Sequence, residues 1–367
     1  MNADEVIYWI LLIPLGIFTC VAIYNYFTAP RLGNNVSVNK KNPFVSILIP
    51  ARNEGKNIKN CIRSILDQSY KNYEVIVLND NSEDNTAEIV INMKEENVTL
   101  VNGTPLPEGW FGKNWACHQL SQKAKGEILL FIDADVIIKE HAVEAAVNEL
   151  LISESDMISV FPTQIISTLG EQLVVPLMNW LLLNFLPLRF VYSSKKKSFA
   201  AANGQFILIK KNVYEIIGGH SFLRNKVVED MEMARELKKR NYKIKTLLGN
   251  NLIFCRMYND FTSSVKGFSK NFYKGFNIPY LFFFLFVLFI EIIYLVPIIL
   301  LFASFQFAVL VLLILISRIF ISSTSNQNIF ASLFLHPLQM IILLFVGINS
   351  VYIDFYKGIE WKGRIIK

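Results

Sequence analysis

The sequence predicts an α/β domain on a mostly parallel sheet, carried between membrane-spanning helices at the two ends of the chain. Three observations lead there. Of 367 residues, 53% are apolar and only 18% are charged, against roughly 25% charged in a typical soluble protein. The apolar residues are concentrated in long runs near both ends, and the mean hydropathy is +0.37. Between those ends, short β-branched runs alternate with segments of helical spacing, the order of a parallel sheet with crossover helices. A disordered chain is excluded. So is a disulfide or zinc framework, because Cys20, Cys61, Cys117 and Cys255 stand far apart with no C-x-x-C. The formal charge is +6. A mildly basic domain suits anionic lipid headgroups better than nucleic acid, for which no dense Lys/Arg block is present.

In chain order, residues 6–30 carry no charge and are long enough to cross roughly 30 Å of hydrocarbon. A cleaved leader wants a basic start, and Asp4 and Glu5 have the wrong sign. An uncleaved anchor over residues 1–30 is therefore expected. Arg31, Lys40 and Lys41 follow it, which places residues 31 onward in the cytoplasm of a multi-pass cell-membrane protein. FVSILIP (44–50), EVIVLND (74–80) and EILLFIDAD (127–135) read as strands, with Ile58, Ile62, Ile65 and Leu66 at helical spacing after the first. The apolar stretch 172–191 contains Pro176, Asn179, Asn184, Pro187 and Arg189. It reads as an interfacial or acceptor-facing element rather than a span.

Over 261–277, Phe261, Val265, Phe268, Phe272 and Phe276 share one helical face, and Lys266, Lys270 and Lys274 share another. That predicts an amphipathic helix at the membrane surface. The run 278–317 is too long for one span and fits two, breaking between Pro297 and Gln306. A further run at 329–353 completes a membrane segment over 278–355. The basic tail 356–367 favours the cytoplasm, whereas three crossings after a cytosolic domain would leave it outside; both arrangements stay open.

In parallel sheets the ligand sits beyond the carboxyl ends of the strands. Those ends are polar here: Pro50-Ala51-Arg52-Asn53-Glu54, Asn79-Asp80-Asn81-Ser82 and Asp133-Ala134-Asp135. A D-x-D at a strand end projects hard oxygen ligands for Mg²⁺ or Mn²⁺, which share their shell with phosphate. Alone it reads equally as a solvated turn or helix cap; two further polar ends on one sheet edge favour a site. In GWFGKNWACHQ (109–119), Gly109 and Gly112 permit a tight loop and Lys113 can meet diphosphate charge. Trp110 and Trp115 read as packing under that loop, and His118 as a helix-surface histidine. Val228-Glu229-Asp230 opens the helix-like MEMARELKKR, where an Asp is also a common N-cap. Gly218-Gly219 fits a helix end.

Taken in this order, PARNE, NDNSEDNT, GKNWA, FIDAD and VED resemble a family 2 glycosyltransferase with the Rossmann-like GT-A fold, over about residues 43–260. The resemblance implies that Glu54 and Asp80 hold the uridine part of a nucleotide, lined by Pro50 and Ala51. It implies Lys113 on the diphosphate or base, and Asp133 and Asp135 as the metal-proximal pair, with Asp133 also beside the nucleotide. A divalent metal would neutralise the leaving diphosphate. Asp230, with Glu229, would be the general base of an inverting displacement. Asn203-Gly204-Gln205 and Gly218-Gly219-His220 would lie on the acceptor side. Processive members carry Q-x-x-R-W; here Arg256-Met257-Tyr258 stands instead, which argues for single-sugar transfer.

That segment, His336-Pro337-Leu338 and Glu360-Trp361-Lys362-Gly363-Arg364 narrow the likeness to carotenoid- and hopanoid-associated membrane glycosyltransferases, the 4,4'-diaponeurosporenoate type among them. The implied reaction moves a hexose, glucose first, from a UDP-sugar such as UDP-glucose to an apolar lipid acceptor, a carotenoid or other terpenoid. A carboxylate acceptor, ionised above a pKa of about 4, needs no base, whereas a hydroxyl does; the Glu229-Asp230 pair leans toward a hydroxyl. The alternatives are a membrane-bound binding or scaffold protein on an inactive transferase fold, and a polysaccharide or glycolipid synthase with another acceptor. A transporter fits less well, since within the apolar runs only Glu291 and His336 read as ionisable interior residues. Oligomeric state is not legible in the sequence.

Overall fold

The computed structural model describes residues 3–33, 41–357, 359–361 and 364–366. Lys40 and the tail residues Lys362 and Gly363 lie outside the described residues. The main sheet has seven strands. In chain order the strands of the central domain are β1 (Val45–Ala51), β2 (Tyr73–Asn79), β3 (Val98–Asn102), β4 (Ile128–Ile132), β5 (Val136–Ile138), β6 (Met157–Phe161), β7 (Thr163–Gln164), β8 (Phe206–Lys210), β9 (Ile244–Leu248) and β10 (Ile253–Cys255). The main sheet runs β3-β2-β1-β4-β8-β6-β9, and a small sheet runs β5-β10-β7. In the main sheet β8 alone opposes its neighbours β4 and β6; the other pairings are parallel.

The sequence order explains the position of the ligand crevice. β2 and β3 are laid down on one side of β1, and β4 on the other. The chain reverses direction of winding between β1 and β4, so loops leaving their carboxyl ends diverge and open a cleft. β1 and β4 are buried on both faces, as interior parallel strands are. Alternate residues feed two cores. Ile47, Ile49, Leu130 and Ile132 face a core with Ile58, Cys61, Ile62 and Ile65 of α2 (Ile58–Leu66). α3 (Thr86–Met93) and α5 (Ala142–Ile152) pack on that side as well. Leu48, Leu129 and Phe131 face the other core, beside α4 (Gly112–Lys123).

The second core does not stop at the domain edge. It continues through α1 (Ala3–Thr28), α6 (Leu169–Val174), α7 (Pro176–Phe185) and α8 (Arg189–Ser193). The stretch 172–191 is thus short helices, none among those long enough to span. The helices α9 (Lys211–Ile216), α10 (Gly219–Phe222) and α11 (Glu229–Lys239) flank β8 and β9. α12 (Phe261–Phe276) is opened by a capping box at Asp260 and packs on α6. α13 (Tyr280–Leu300), α14 (Ala308–Thr324) and α16 (His336–Tyr352) complete the same core, and the short α15 (Ile329–Phe334) links the last two. A tail hairpin pairs β11 (Ile359–Trp361) with β12 (Arg364–Ile366).

Among the described residues four helices are long and apolar enough to cross a membrane: Glu5–Thr28, Tyr280–Leu300, Phe305–Thr324 and His336–Tyr356. The interior of this bundle corrects the sequence-based list of ionisable residues. Arg318, one position past the apolar run 278–317, lies in α14 and is 2% exposed, alongside Glu291 and His336. The anchor helix is tied to the domain by backbone and side chain. Leu32 N–H donates to Leu248 O and Leu248 N–H to Pro30 O, each at 2.9 Å. The Asn25 amide donates to Leu183 O and Leu186 O and accepts from Leu188 N–H.

Candidate active site

The first two strand ends are stitched together. Ala51 pairs with Asn79 in register, and Asp80 N–H donates to Ala51 O at 2.8 Å. The Arg52 guanidinium donates to the carbonyls of Asp80 and Asn81, both at 2.8 Å. Glu54 N–H reaches Thr86 Oγ1 at 2.8 Å, and Gly55 N–H reaches Asp84 Oδ2 at 2.9 Å. Asn53 and Asn81 take left-handed backbone conformations (φ 53° and 49°), which Asn tolerates better than most residues. Much of PARNE and NDNSEDNT therefore builds this loop lattice. Asp80 and Ala51 are buried within it.

The third strand end meets a different partner set. Asp133 N–H donates to Gln205 O, and Val136 N–H to Asp133 O, both at 3.1 Å, so the D-x-D is a tight turn against the start of β8. The Lys113 ammonium lies 2.9 and 3.0 Å from the two Asp133 oxygens and 3.1 Å from Glu229 Oε1. Lys113 is delivered by α4, whose first turn is pinned to the loop before α11. Phe111 N–H donates to Arg224 O at 2.7 Å, and the Asn114 amide to Leu223 O at 2.6 Å and Lys226 O at 2.9 Å.

Asp230 sits in the first turn of α11, with Val228 at the N-cap position and no side-chain cap. The N-cap alternative for Asp230 is thereby corrected. Its carboxylate accepts Gly204 N–H at 2.8 Å and Met231 N–H at 2.7 Å. Burial, with the neighbouring Glu229 charge, pushes the Asp230 carboxyl up to about 7, against the pull of Lys113 and the two amides. Burial alone would raise Glu229, yet the Lys113 ammonium holds it below the ordinary value. Asp133 is raised by burial and by the Glu229 and Glu54 charges, in spite of Lys113. The two carboxyls at the head of one helix are thus driven apart, Glu229 down and Asp230 up, a pattern that marks functional clusters.

These groups share one hollow. Lys113, Asp133, Asp135, Glu229 and Asp230 line a cavity of about 700 Å³. Its floor is completed by Asn203, Gly204 and Gln205. Its walls are Met178, Leu181, Leu182, Phe185 and Leu186 on and just after α7, facing Phe268, Phe272 and Phe276 of α12. Arg235 and Lys270 also line it. Pro50, Ala51, Glu54 and Asp80 are outside that lining, at the neighbouring strand ends. The structure brings the D-x-D, Lys113 and the α11 acids together, and sets the four nucleotide candidates beside them rather than among them.

Among the described residues no three His, Cys, Asp or Glu side chains converge on a metal position. The donor set nevertheless fits Mg²⁺ or Mn²⁺. Asp133 and Asp135 offer hard carboxylate oxygens, and such an ion takes the rest of its shell from phosphate and water. The Lys113 ammonium against Asp133 is a resident cation at that place.

Other singled-out residues have structural duties. Trp110 and Trp115 meet edge-to-face at 4.9 Å, and His118 stacks on Trp115 at 5.5 Å. Trp115 Nε1–H ties down the Thr104 carbonyl. His220 is buried beside Phe131, bonded to the Tyr214 hydroxyl at 2.8 Å, and burial drops its pKa to about 3. It is not part of the cavity lining. Gly218 and Gly219, at φ 85° and 49°, turn the chain between α9 and α10. Arg256 Nε–H reaches Glu171 Oε1 at 2.9 Å, and a Cβ on Gly267 would meet the Tyr258 hydroxyl at 2.2 Å. The sequence left two details open: the Gly204 amide as a donor to Asp230, and which face of the 172–191 element, already read as acceptor-facing, walls the cavity. An N-G-Q before a strand carries no local signal for the first. For the second, the i, i+3, i+4, i+7 spacing of Met178, Leu181, Leu182 and Phe185 was the available one.

Residues 46–231 match the model of the family described as "Glycosyl transferase family 2". Among curated proteins the chain is similar to 4,4'-diaponeurosporenoate glycosyltransferase of Staphylococcus haemolyticus (strain JCSC1435). The match is 29% identical over 238 residues, covering 63% of this chain and 61% of that protein. The same-named protein of Staphylococcus aureus (strain USA300) is 29% identical over 245 residues, covering 65% and 63%. The aligned region thus spans less than two thirds of those relatives' length. Among solved structures, a mannosyltransferase of Pyrobaculum calidifontis in complex with GDP-Man and Mn²⁺ superposes with a TM-score of 0.56 at 15% identity. It covers 95% of this chain and 99% of that one, which shows a shared GT-A fold.

Proposed function

The chain belongs to glycosyl transferase family 2 and is a glycosyltransferase, and from there we propose that it transfers a hexose, glucose first, from a UDP-sugar to an apolar lipid acceptor at a membrane. The observation that carries this is the cavity itself: carboxylates and Lys113 at its floor, and aliphatic and aromatic walls from α7 and α12. A nucleotide sugar needs the first and a lipid the second. Glu54 and Asp80, with Pro50 and Ala51, take the nucleoside end. Asp133 and Asp135 hold Mg²⁺ or Mn²⁺, and Lys113 leaves Asp133 for the diphosphate. When bound, the metal supplies counter-charge to the leaving group.

Asp230 takes the proton of the acceptor hydroxyl as that oxygen bonds to the anomeric carbon. The bond from that carbon to the diphosphate oxygen breaks, and the anomeric configuration inverts. Gly204 and Met231 amides aim the carboxylate. Four helices among the described residues that are long and apolar enough to span support a seat in the cell membrane, and Arg31 and Lys41 after the first of them favour the cytoplasmic side for the transferase domain.

The test is a donor panel, UDP-glucose against GDP-mannose, supplied with Mn²⁺ to membranes carrying the full chain, with extracted lipids weighed by mass spectrometry. A lipid heavier by one hexose, formed from UDP-glucose and lost in Asp133→Ala and Asp135→Ala, is expected. Undiminished transfer in both variants removes the metal assignment, and transfer from GDP-mannose alone removes the donor. Mild alkali then distinguishes a stable glycoside, expected for a hydroxyl acceptor, from a labile ester, which a carboxylate acceptor would give.

A further inference from the structure

His336 and the intramembrane charge Arg318 are not used by the chemistry above. A buried guanidinium is costly unless fully paired, and an ionisable group within apolar helices is functional by default. Arg318 is held by neutral side chains, and its Nη2 lies 4.0 Å from the Met340 sulfur. Its Nε–H donates to His336 Nδ1 at 2.8 Å, and Nη1–H to Gln339 Oε1 at 3.0 Å. Because His336 Nδ1 accepts, the ring proton is on Nε2, which donates to Tyr294 O at 3.1 Å. Gln339 passes the link on, its amide donating to Gln172 O of α6 at 2.8 Å. The guanidinium plane lies 4.8 Å from the Trp180 ring centroid. Trp180 is 1% exposed, and among the described residues its Nε1 finds no hydrogen-bond acceptor. Within the common core its ring lies against Arg318 and edge-on to Tyr294 at 4.9 Å and Phe185 at 5.7 Å.

Trp180 is in the middle of α7. Leu177, Trp180 and Asn184 form the face toward the bundle, each fully or almost fully buried. The other face, Met178, Leu181, Leu182 and Phe185, lines the cavity. We propose that Arg318 is a positioning residue for the acceptor: braced by His336 and Gln339, it supports α7 through Trp180 and so sets the wall against which the lipid lies. The proposal rests on the reading of that wall as the acceptor site. It gives the His336-Pro337-Leu338 segment a physical task, since a helix starting there delivers both braces from one turn.

The test uses the full chain in detergent micelles with two probes, an acyclic terpenoid alcohol for the acceptor side and UDP with Mn²⁺ for the donor side. In Arg318→Met, retention of the first weakens roughly tenfold while UDP binding is unchanged, as a misplaced wall distant from the chemistry would give. Amide exchange over 176–185 speeds up, while 45–51 and 128–132 stay protected. Arg318→Lys, which keeps the charge but loses the planar fork, falls between. Gln339→Leu, which removes one brace and leaves the charge, moves in the same direction if Arg318→Met fails to accumulate. Equal loss of both probes, or unchanged exchange over 176–185, overturns the proposal. Leu182→Trp fills the wall directly and separates the two levels. If it leaves acceptor retention intact, the acceptor site is elsewhere and the parent reading falls. If it abolishes retention while Arg318→Met does not reduce it, only the positioning role falls.

Discussion

Asp230 is the residue on which chemistry and environment meet. It is held by two backbone amides and pushed up to about 7 by burial and the Glu229 charge. In the proposed role of base it must be ionised to act, so kcat/KM should climb as pH rises through about 7 and level off above it. Asp230→Asn should flatten that limb and cost on the order of 10²–10⁴ in kcat, measured with saturating donor. The same shift affects stability with the opposite slope. The folded chain keeps a proton on Asp230 that the unfolded chain releases near 4. That contribution is complete below about pH 4 and is lost as pH rises to about 7. Beside it, Gly204 is a second sensitive position. A Cβ there would stand 3.0 Å from Lys113 Nζ and 3.1 Å from Glu229 Oε1. The lysine is a flexible tip and yields, so Gly204→Ala should fold with a near-normal melting temperature yet lose roughly tenfold or more in kcat/KM, the effect of one misplaced charged partner.

Among the elements, β4 and α6 carry separate loads. Leu130 is fully buried in the middle of β4, between β1 and β8. Leu130→Ala should cost about 2–5 kcal/mol, read from the denaturation midpoint in detergent. α6 is opened by a capping box in which Glu171 accepts Thr168 N–H, together with Ser167 N–H and the Arg256 guanidinium. Glu171→Ala strips a fully buried acceptor from four donors, the Thr168 hydroxyl included. It should destabilise by about 2–4 kcal/mol and raise amide exchange in 167–175 ahead of the sheet. The split of 172–191 into short helices has a sequence cause: Pro176 opens α7 and Pro187 follows its end, and neither position can continue a helix without a break.

At the scale of the whole molecule, one apolar core runs from the sheet face through α6 and α7 into α1, α13, α14 and α16. The transferase domain and the apolar helices are a continuous packing unit, with the cavity at their junction. Chelation should therefore act on chemistry and not on assembly. Removing divalent ions with EDTA is expected to abolish transfer, and Mn²⁺ to restore it, with the melting midpoint shifting by no more than the binding of one ligand requires. Persistence of full activity in excess EDTA would contradict the assignment of Asp133 and Asp135.

Much of this was legible in the linear order of residues. β-branched runs, each ending in polar residues, and their alternation with helical spacing were enough for the sheet, because those signals are local. Apolar runs long enough to span were enough for the apolar helices for the same reason. The D-x-D could be nominated because strand ends of one parallel sheet gather at one edge, Lys113 from its charge in a glycine-flanked loop, and Glu229-Asp230 from the family resemblance. What the tertiary structure alone decided were the partnerships across distance. The Gly204 amide aims Asp230, Lys113 bridges Asp133 to Glu229, the α7 face turns toward α12, and Arg318 stands behind Trp180. Each joins segments far apart in the chain, and no periodicity in either segment encodes the other; only the packing of the common core brings them within reach.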